Sequence, residues 1–237
     1  MLEMNGLQKV FRSGLVETHA LRDFSLTVDA GEFVAVTGPS GSGKTTFLNI
    51  AGLLDGFSGG SYFLDGYNVT QLNDARRSKM RNQKLGFIFQ SFNLIADLNI
   101  FDNVDVPLRY RGFSGRERKK RIDKMLEMVG LLGRKKHFPG QLSGGQQQRV
   151  AIARALAGEP RMILADEPTG NLDTLMAKQI MELLEDVNRQ GTTVIMVTHD
   201  PNLARRANRH IQIVDGQLTD FQMYEPLSKI QQTAVAV

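Results

Sequence analysis

Short apolar segments, each bounded by turn residues, alternate with polar stretches along the first third of the chain. Segments of this kind are typical of β-strands. The predicted strands are residues 6–11, 24–28, 33–36, 59–65 and 85–89. Apolar side chains also recur through residues 46–54, densely enough to predict a buried helix. The order strand, glycine-rich loop and helix is therefore predicted for residues 33–54.

The middle of the chain changes to a helical pattern. Ser114 followed by Glu117 is a capping-box signature, and apolar residues such as Ile122 and Leu126 recur behind it at helical spacing. Residues 93–158 are therefore predicted to be mostly helical.

The last third of the chain returns to alternating strands and helices. A predicted helix at residues 174–189 lies between apolar strands at 162–165 and 193–197. A strand, helix and strand of these lengths imply parallel pairing with a right-handed crossover. Residues 209–214 and 217–219, separated by an Asp-Gly turn, predict a closing hairpin.

Together these elements predict one α/β domain over residues 1–237. Residues 225–237 have little periodicity and are predicted to form a weakly ordered tail. No internal repeat is evident in the sequence.

Composition narrows the class of protein. Hydrophobic residues make up 41% and charged residues 23% of the chain, which favours a globular fold. The apolar runs fall far short of the roughly 20 residues that a membrane-spanning helix needs.

Residues 1–5 lack the basic and apolar regions of a secretory signal, so a cytoplasmic location is expected. The absence of cysteine excludes disulfides and cysteine-ligated metal sites.

Positive charge is concentrated in three clusters, at residues 76–79, 116–121 and 134–136, and the net charge is +4. Such a charge is compatible with a nucleic-acid partner, an anionic membrane surface or solvated helix faces. Carboxylates are interspersed around the second cluster, which favours solvated faces, with membrane or partner contact as the alternative.

The loop at residues 38–45 fits the P-loop pattern GxxxxGK[ST] and follows a predicted strand directly. Its glycines let main-chain N–H groups converge on phosphate oxygens at the start of the next helix. Lys44 is expected to reach the β- and γ-phosphates, and Thr45 to bind Mg²⁺. The alternative, a glycine-rich turn that fits by chance, is disfavoured by the position between strand and helix. The predicted nucleotide contacts here are Gly38, Pro39, Ser40, Gly41, Ser42, Gly43, Lys44, Thr45 and Thr46.

Two carboxylates, Asp166 and Glu167, end the apolar strand at residues 162–165. Adjacent residues on a strand point to opposite faces, so the two acids need not share a role. Asp166 is predicted to hold Mg²⁺, and Glu167 to orient and deprotonate the attacking water. Solvated acids at a strand end would be the preferred interpretation if the P-loop were absent.

Further motifs make the resemblance specific. Residues 142–146, Leu-Ser-Gly-Gly-Gln, resemble the signature sequence of ABC ATPases, and residues 171–173, Asn-Leu-Asp, resemble their D-loop. Gln90 is similar to the Q-loop glutamine and His199 to the switch histidine of that family. These motifs occur in the family's order across nearly the whole chain. The resemblance implies a P-loop NTPase core with an N-terminal antiparallel β subdomain and an inserted α-helical subdomain.

The resemblance also implies roles for individual residues. Glu167, His199, Lys44 and Gln90 are expected to act in ATP hydrolysis, and Gln90 to join Thr45 and Asp166 at the metal. The remaining residues that the resemblance assigns to ATP are Ser143, Gly144, Gly145, Gln146 and Asp173.

The signature residues precede a predicted helix, so their hydroxyl and N–H groups cluster at its N-terminus as a second anion site. A chain with two separate phosphate sites is suited to a head-to-tail pair, and in the family two chains enclose two ATP molecules. A symmetric homodimer is therefore expected.

Aromatic and imidazole side chains elsewhere have competing interpretations. Phe11 lies where the family places an aromatic ring against adenine, although core packing is the alternative. We interpret His19, His137 and His210 as structural, whereas His199 is positioned to donate to the γ-phosphate.

The insert at residues 13–19, together with residues 89–94 and 165–173, resembles the macrolide-export and lipoprotein-releasing branch of the family. That branch implies a separate transmembrane permease subunit, and thus a peripheral position on the cytoplasmic side of the cell membrane. The segment after Gln90, residues 91–104, is the predicted docking surface, with Leu94, Ile95 and Phe101 either exposed as anchors or buried in the helical region. The alternative is a cell-division or cell-wall regulatory membrane complex. No nucleic-acid partner is expected, since DNA- and ribosome-directed relatives carry two cassettes or long insertions.

Overall fold

The computed structural model describes residues 1–14 and 16–223, which form two sheets and a group of helices. The strands are β1 Leu2–Ser13, β2 Val16–Val28, β3 Phe33–Thr37, β4 Gly59–Leu64, β5 Tyr67–Asn68, β6 Leu85–Ile88, β7 Met162–Asp166, β8 Thr193–Val197, β9 Arg209–Val214 and β10 Gln217–Met223. The α-helices are α1 Lys44–Ala51, α2 Asp74–Lys84, α3 Ile100–Arg109, α4 Gly115–Met128, α5 Gly144–Leu156, α6 Thr174–Arg189 and α7 Pro201–Ala204. Short 3₁₀ turns occupy Leu132–Arg134 and Pro139–Gln141.

The larger sheet has the strand order β10-β9-β3-β8-β7-β6. Its strands pair in parallel except for β10, which runs antiparallel to β9. In β3, Val34 and Val36 pack into one apolar cluster, while the alternate residues Phe33 and Ala35 pack into another on the opposite face. The period of two explains why this strand is apolar throughout, since helices or the second sheet cover both faces.

The smaller sheet is antiparallel, in the order β2-β1-β4-β5. Its first two strands are longer than the sequence predicted. Residues 2–5 and 16–23 were not predicted to be strand because the predicted segments 6–11 and 24–28 are the more apolar parts. Pairs such as Arg12 with Glu17 extend the hairpin through exposed residues, and the side chains of this pair also form an ion pair at 2.9 Å.

The helices α3, α4 and α5 pack around a cluster of their own. Helix α5 contributes to two clusters, because Val150 and Ala153 face α3 and α4 while Ile152 and Leu156 face the sheet. The capping box predicted at Ser114 and Glu117 begins α4. The α/β prediction, with a mainly parallel sheet, an antiparallel N-terminal sheet and a helical insertion, is confirmed.

Several boundaries and small elements differ from prediction. Helix α1 begins at Lys44 and ends at Ala51 rather than spanning residues 46–54. The sequence did not predict α2, which carries the basic cluster at residues 76–79 and has no buried residue. Strand β5 and helix α7 were also missed, because two and four residues are too few to establish a period. The predicted tail, residues 225–237, lies outside the described residues.

No helix within the described ranges is long and apolar enough to cross a membrane.

Candidate functional site

The carboxyl ends of four parallel strands lie at one edge of the larger sheet. The P-loop follows β3, Gln90 comes shortly after β6, Glu167 follows β7, and His199 comes shortly after β8. Parallel strands place such loops side by side, and ligands of open α/β sheets bind at this edge. The sheet therefore collects side chains from positions far apart in sequence.

The P-loop is a tight main-chain cradle. Gly38 has φ of 145°, and a Cβ there would lie 2.0 Å from the carbonyl oxygen of Ile213. Gly43 has φ of 106°, and its Cβ would lie 2.5 Å from the carbonyl oxygen of Ala20. Only glycine fits both places, and Gly43 caps the N-terminus of α1 without a side-chain hydrogen bond. The loop thus brings main-chain N–H groups and a helix terminus to one point, which suits phosphate oxygens.

Lys44 provides the cation of this cradle. Its side chain is buried, and Nζ donates to the carbonyl oxygens of Gly38 at 2.8 Å and Pro39 at 2.7 Å. Burial lowers the pKa of Lys44, while the charges of Glu167 and Asp166 oppose that shift. Among the described residues, the ammonium has only these main-chain carbonyls as hydrogen-bond acceptors, which fits a site built to receive anionic phosphate oxygens.

Asp166 and Glu167 lie in different backbone environments at the end of β7. Asp166 is the last strand residue and pairs with Val197 of β8. Glu167 adopts φ of 46°, and its N–H donates to the carbonyl oxygen of Val197 at 3.0 Å. This left-handed turn directs the chain away from the sheet. A non-glycine residue held there is typical of functional sites.

Burial raises the pKa values of both carboxylates, opposed chiefly by His199 and more weakly by Lys44. Oε1 of Glu167 lies 3.1 Å from Nε2 of His199, but without hydrogen-bonding geometry, so this buried oxygen has no hydrogen-bond partner in the part of the chain that the structure describes. A buried oxygen of this kind is available to a water molecule or substrate proton. The imidazole of His199 is itself exposed.

Gln90 lies beside the turn that follows β7. Nδ2 of Asn171 donates to the carbonyl oxygen of Gln90 at 2.9 Å, and a Cβ on Gly170 would lie 2.8 Å from Nε2 of Gln90. The structure therefore brings the predicted Q-loop and D-loop residues into contact. Asp173 caps α6, where its Oδ1 accepts from the N–H of Met176.

The signature residues form the N-terminus of α5. Ser143 caps the helix by accepting from the N–H of Gln146, whose side chain accepts in turn from the N–H of Ser143. Atoms near Gly144 and Gly145 belong to Phe92, to residues 171–172 and to Met176, not to the P-loop. Ser143 is exposed. Within one chain, the structure does not bring the signature into contact with the P-loop.

Phe11 lies on β1 with 45% of its surface exposed, so it is not a core residue. Nζ of Lys9 lies 4.7 Å from the centre of its ring. Of the other histidines, His210 lies in β9 with Nε2 2.6 Å from Oγ1 of Thr37, and His19 is exposed on β2.

Gln148 and Arg154 of α5 were not predicted from the sequence to be functional residues. Nε2 of Gln148 donates to the carbonyl oxygen of Pro168, directly behind the two carboxylates. Arg154 donates to the carbonyl oxygens of Phe92 and Asn93. A polar residue in a helical pattern ordinarily indicates a solvated face, so the sequence offered no signal for either contact.

Hard oxygen donors suitable for Mg²⁺ are present in Thr45 and Asp166, at the two loops that meet beside Lys44. No cluster of three or more histidine, cysteine or acidic residues was found in the described part of the chain. A metal here would therefore need phosphate oxygens and water to complete its coordination, as is usual for magnesium at nucleotide sites.

Comparison with known proteins agrees with this geometry. A model of the family described as ABC transporter matches residues 21–170. YvrO of Bacillus subtilis, an uncharacterised ABC transporter ATP-binding protein, is 47% identical over 92% of this chain and 95% of its own length. The macrolide export ATP-binding/permease protein MacB of Neisseria gonorrhoeae is 46% identical over 92% of this chain. The chain spans only 34% of the length of that protein.

Among solved structures, a dimeric ATP-binding cassette in a post-hydrolysis state, bound to ADP and Pi, matches with a TM-score of 0.88. The two are 43% identical, and the match covers 95% of this chain and 99% of that one. A dimeric bacterial ABC transporter cassette matches equally well in TM-score, at 44% identity and with the same coverage. The resemblance identified from the motifs is confirmed: the chain belongs to the ABC transporter family, as an ATP-binding cassette.

Proposed function

We propose that this chain is the ATP-hydrolysing subunit of a transporter, that it works as a homodimer, and that it drives a permease encoded on a separate chain. Family membership implies ATPase activity. The observation that carries the proposal is the site at the sheet edge, where Lys44, Asp166, Glu167 and His199 lie together. The names of the B. subtilis and Neisseria relatives support a transport role.

Nucleotide binding is assigned to the P-loop and to Phe11. The main-chain N–H groups of the loop and the Lys44 ammonium bind the phosphates, and this replaces the bonds from Nζ to the loop's own carbonyl oxygens. The exposed ring of Phe11 offers a stacking face to adenine. Ser42 supports this assignment, because its buried Oγ has no hydrogen-bond partner among the described residues.

Metal binding is assigned to Thr45, Gln90 and Asp166. Mg²⁺ at this point would neutralise charge on the β- and γ-phosphates. Burial raises the pKa of Asp166, and a nearby dication favours the ionised form that the site requires.

Water activation is assigned to Glu167. Its buried Oε1 has no hydrogen-bond partner within residues 1–14 and 16–223, so it is available to accept a proton from the attacking water. His199 lies within 3.1 Å of the same oxygen and has an exposed imidazole, which can donate to charge that develops on the γ-phosphate.

Dimerisation follows from the position of the signature. Ser143 is exposed and the signature has no P-loop neighbour within its own chain. In a two-fold dimer each signature can face the P-loop of the other copy, and two identical sites form from one pair of surfaces. The dimeric state of the two cassettes that match this chain supports this arrangement.

The membrane subunit is expected to dock in a cleft of about 1020 Å³ between α2, β6, α3 and α5. Phe87, Phe89 and Tyr110 are among its lining residues, beside several cationic side chains. Of the three anchors expected from sequence, Ile95 is exposed, whereas Leu94 and Phe101 pack partly buried against the helical cluster. This assignment implies that the chain acts at the cytoplasmic side of the cell membrane. A role in export is supported by the similarity to MacB.

The Glu167→Gln variant tests the hydrolytic assignment. It retains size and polarity but loses the general base, so we expect the ATPase rate to fall about 10²–10⁴-fold with ATP binding preserved. We also expect it to accumulate as a dimer with ATP and Mg²⁺, as measured by gel filtration with light scattering.

Glu182→Gln serves as the control, because that side chain is exposed on α6 and away from the sheet edge. It should hydrolyse ATP at the parental rate. A Glu167→Gln variant that stays monomeric and hydrolyses ATP as fast as the parent would falsify both the catalytic assignment and the sandwich dimer.

A further inference from the structure

The turn that carries Gln90 has an unusual backbone. Phe92 and Asn93 adopt φ values of 62° and 48°, so two successive non-glycine residues lie in the left-handed region. Such a conformation is strained for a residue with a side chain and persists only where its surroundings hold it. Within the turn, the N–H of Phe92 donates to the carbonyl oxygen of Phe89 at 3.1 Å.

Arg154, near the C-terminal end of α5, makes hydrogen bonds to this turn. Its Nη1 donates to the carbonyl oxygen of Asn93 at 2.5 Å, and its Nη2 donates to that of Phe92 at 2.9 Å. The guanidinium therefore binds the carbonyls of both left-handed residues at once. Among the described residues, no carboxylate lies within 4.0 Å of Arg154, and burial lowers its pKa. Burying a cation without a counter-ion is unfavourable. The two main-chain carbonyls therefore stabilise the Arg154 guanidinium in place of a carboxylate.

The same turn is fixed from two further directions. Asn171 donates to the carbonyl oxygen of Gln90, the residue two positions before Phe92. The ring of Phe92 lies 3.6 Å from where a Cβ on Gly144 would stand, at the N-terminus of the helix that carries Arg154. Gln90 is thus held between the segment that follows β7 and the two ends of α5.

We propose that Arg154 is a positioning residue for hydrolysis, which holds the turn at residues 89–93 so that the side chain of Gln90 is directed at the metal site. The inference rests on the proposed function. The two parallel N–H donors of a guanidinium match two successive carbonyls, whereas the single ammonium of lysine retains the charge but not this fork.

The test compares Arg154→Lys with Arg149→Lys. Arg149 lies on the same helix and also bridges two acceptors, the carbonyl oxygen of Val129 and Oε1 of Gln179, but it does not touch the turn. We expect Arg154→Lys to leave ATP affinity unchanged and to lower kcat by about tenfold to a hundredfold, as small misplacements of catalytic groups do. The Mg²⁺ concentration needed for half-maximal rate should rise. Arg149→Lys should change neither quantity.

A double-mutant cycle with Gln90→Ala separates positioning from general destabilisation. If Arg154 acts through Gln90, then Arg154→Lys causes little further loss of kcat in the Gln90→Ala background. Equal fold losses in both backgrounds would overturn the inference, and so would a loss of ATP affinity in Arg154→Lys.

Amide hydrogen exchange provides a readout that does not depend on hydrolysis. Exchange at residues 91–95 should accelerate in Arg154→Lys and not in Arg149→Lys, because the left-handed turn loses its restraint. Unchanged exchange in Arg154→Lys would refute the inference even if the parent proves inactive. Parental hydrolysis and the Glu167→Gln result report separately on the proposed function.

Discussion

At the scale of single residues, burial changes the protonation equilibrium of the two adjacent carboxylates Asp166 and Glu167. Burial raises the pKa of each above its ordinary value. Each acid therefore binds protons more tightly in the folded than in the unfolded chain. This lowers the stability as pH rises through the interval between the unfolded and folded pKa values. The site thus carries a stability cost near neutral pH that bound metal and nucleotide can offset.

The raised pKa of Glu167 predicts an acid limb in the rate profile. Protonation removes the lone pair that accepts the proton of water, so kcat should fall on acidification at a pH above that at which an exposed glutamate titrates. The measurement is kcat against pH for the parent chain and for His199→Gln, which removes the imidazole that lies 3.1 Å from Oε1 of Glu167. An acid limb at the ordinary glutamate value in both proteins would contradict the assignment.

At the scale of elements, Asn103 connects the helical region to the chain that leaves the sheet edge. This buried side chain of α3 accepts from the N–H of Ile95 at 2.8 Å and donates to the carbonyl oxygens of Ile95, Leu98 and Asn99. One amide therefore satisfies four main-chain groups of the loop at residues 95–99. A helix residue therefore helps to order the loop, in addition to the loop's own bond from the N–H of Leu98 to the carbonyl oxygen of Ile95.

Replacing Asn103 with leucine retains the volume and removes the hydrogen-bond partner of the Ile95 N–H and of the Leu98 carbonyl oxygen, whereas the carbonyl oxygens of Ile95 and Asn99 also accept from main-chain N–H groups. Each buried unsatisfied group costs about 1–3 kcal/mol, so Asn103→Leu should destabilise the fold by at least roughly 2 kcal/mol in urea unfolding. Asn5→Leu is the control, since the side chain of Asn5 is exposed and contacts Glu3. Equal unfolding midpoints for the two variants would count against this role of Asn103.

At the scale of the whole molecule, the hydrolytic site and the proposed docking cleft are separate surfaces joined by one turn. The Gln90 turn adjoins the segment after β7 on one side, and Phe89 and Asn93 line the cleft on the other. A partner in the cleft would therefore contact the segment that carries a proposed metal ligand. This arrangement gives a physical route by which docking and hydrolysis affect each other.

Charge introduced into the cleft tests the docking surface. Tyr110 is 81% exposed and lines the cleft, so Tyr110→Glu should reduce binding to urea-stripped membrane vesicles of the source cell while basal ATPase activity is unchanged. Ile95 lies in the docking segment predicted from sequence and not among the residues that line the cleft, and Ile95→Glu should also reduce vesicle binding, since 45% of that side chain is exposed. Tyr67→Glu is the control, because Tyr67 is an exposed tyrosine on the smaller sheet. Full vesicle binding by Tyr110→Glu and Ile95→Glu would exclude the cleft as the docking site.

The sequence alone determined the features that depend on neighbouring residues. The period of apolar positions predicted the buried strands and α6, and glycine spacing located the P-loop, because strand, helix and turn preferences act over a few residues. The order of the motifs was sufficient to identify the family. Exposed stretches such as α2 were missed, because without a buried face they show no apolar period.

Tertiary structure decided the features that depend on distant residues. It exposed the ring of Phe11, for which sequence left adenine stacking and core packing open. It brought Arg154 to carbonyls 61 and 62 positions earlier in the chain, through a helix for which the sequence predicted only a period of apolar residues. It also separated the signature from the P-loop of the same chain. Local periodicity carries no information about such contacts, because they are set by how sheet and helices pack against each other.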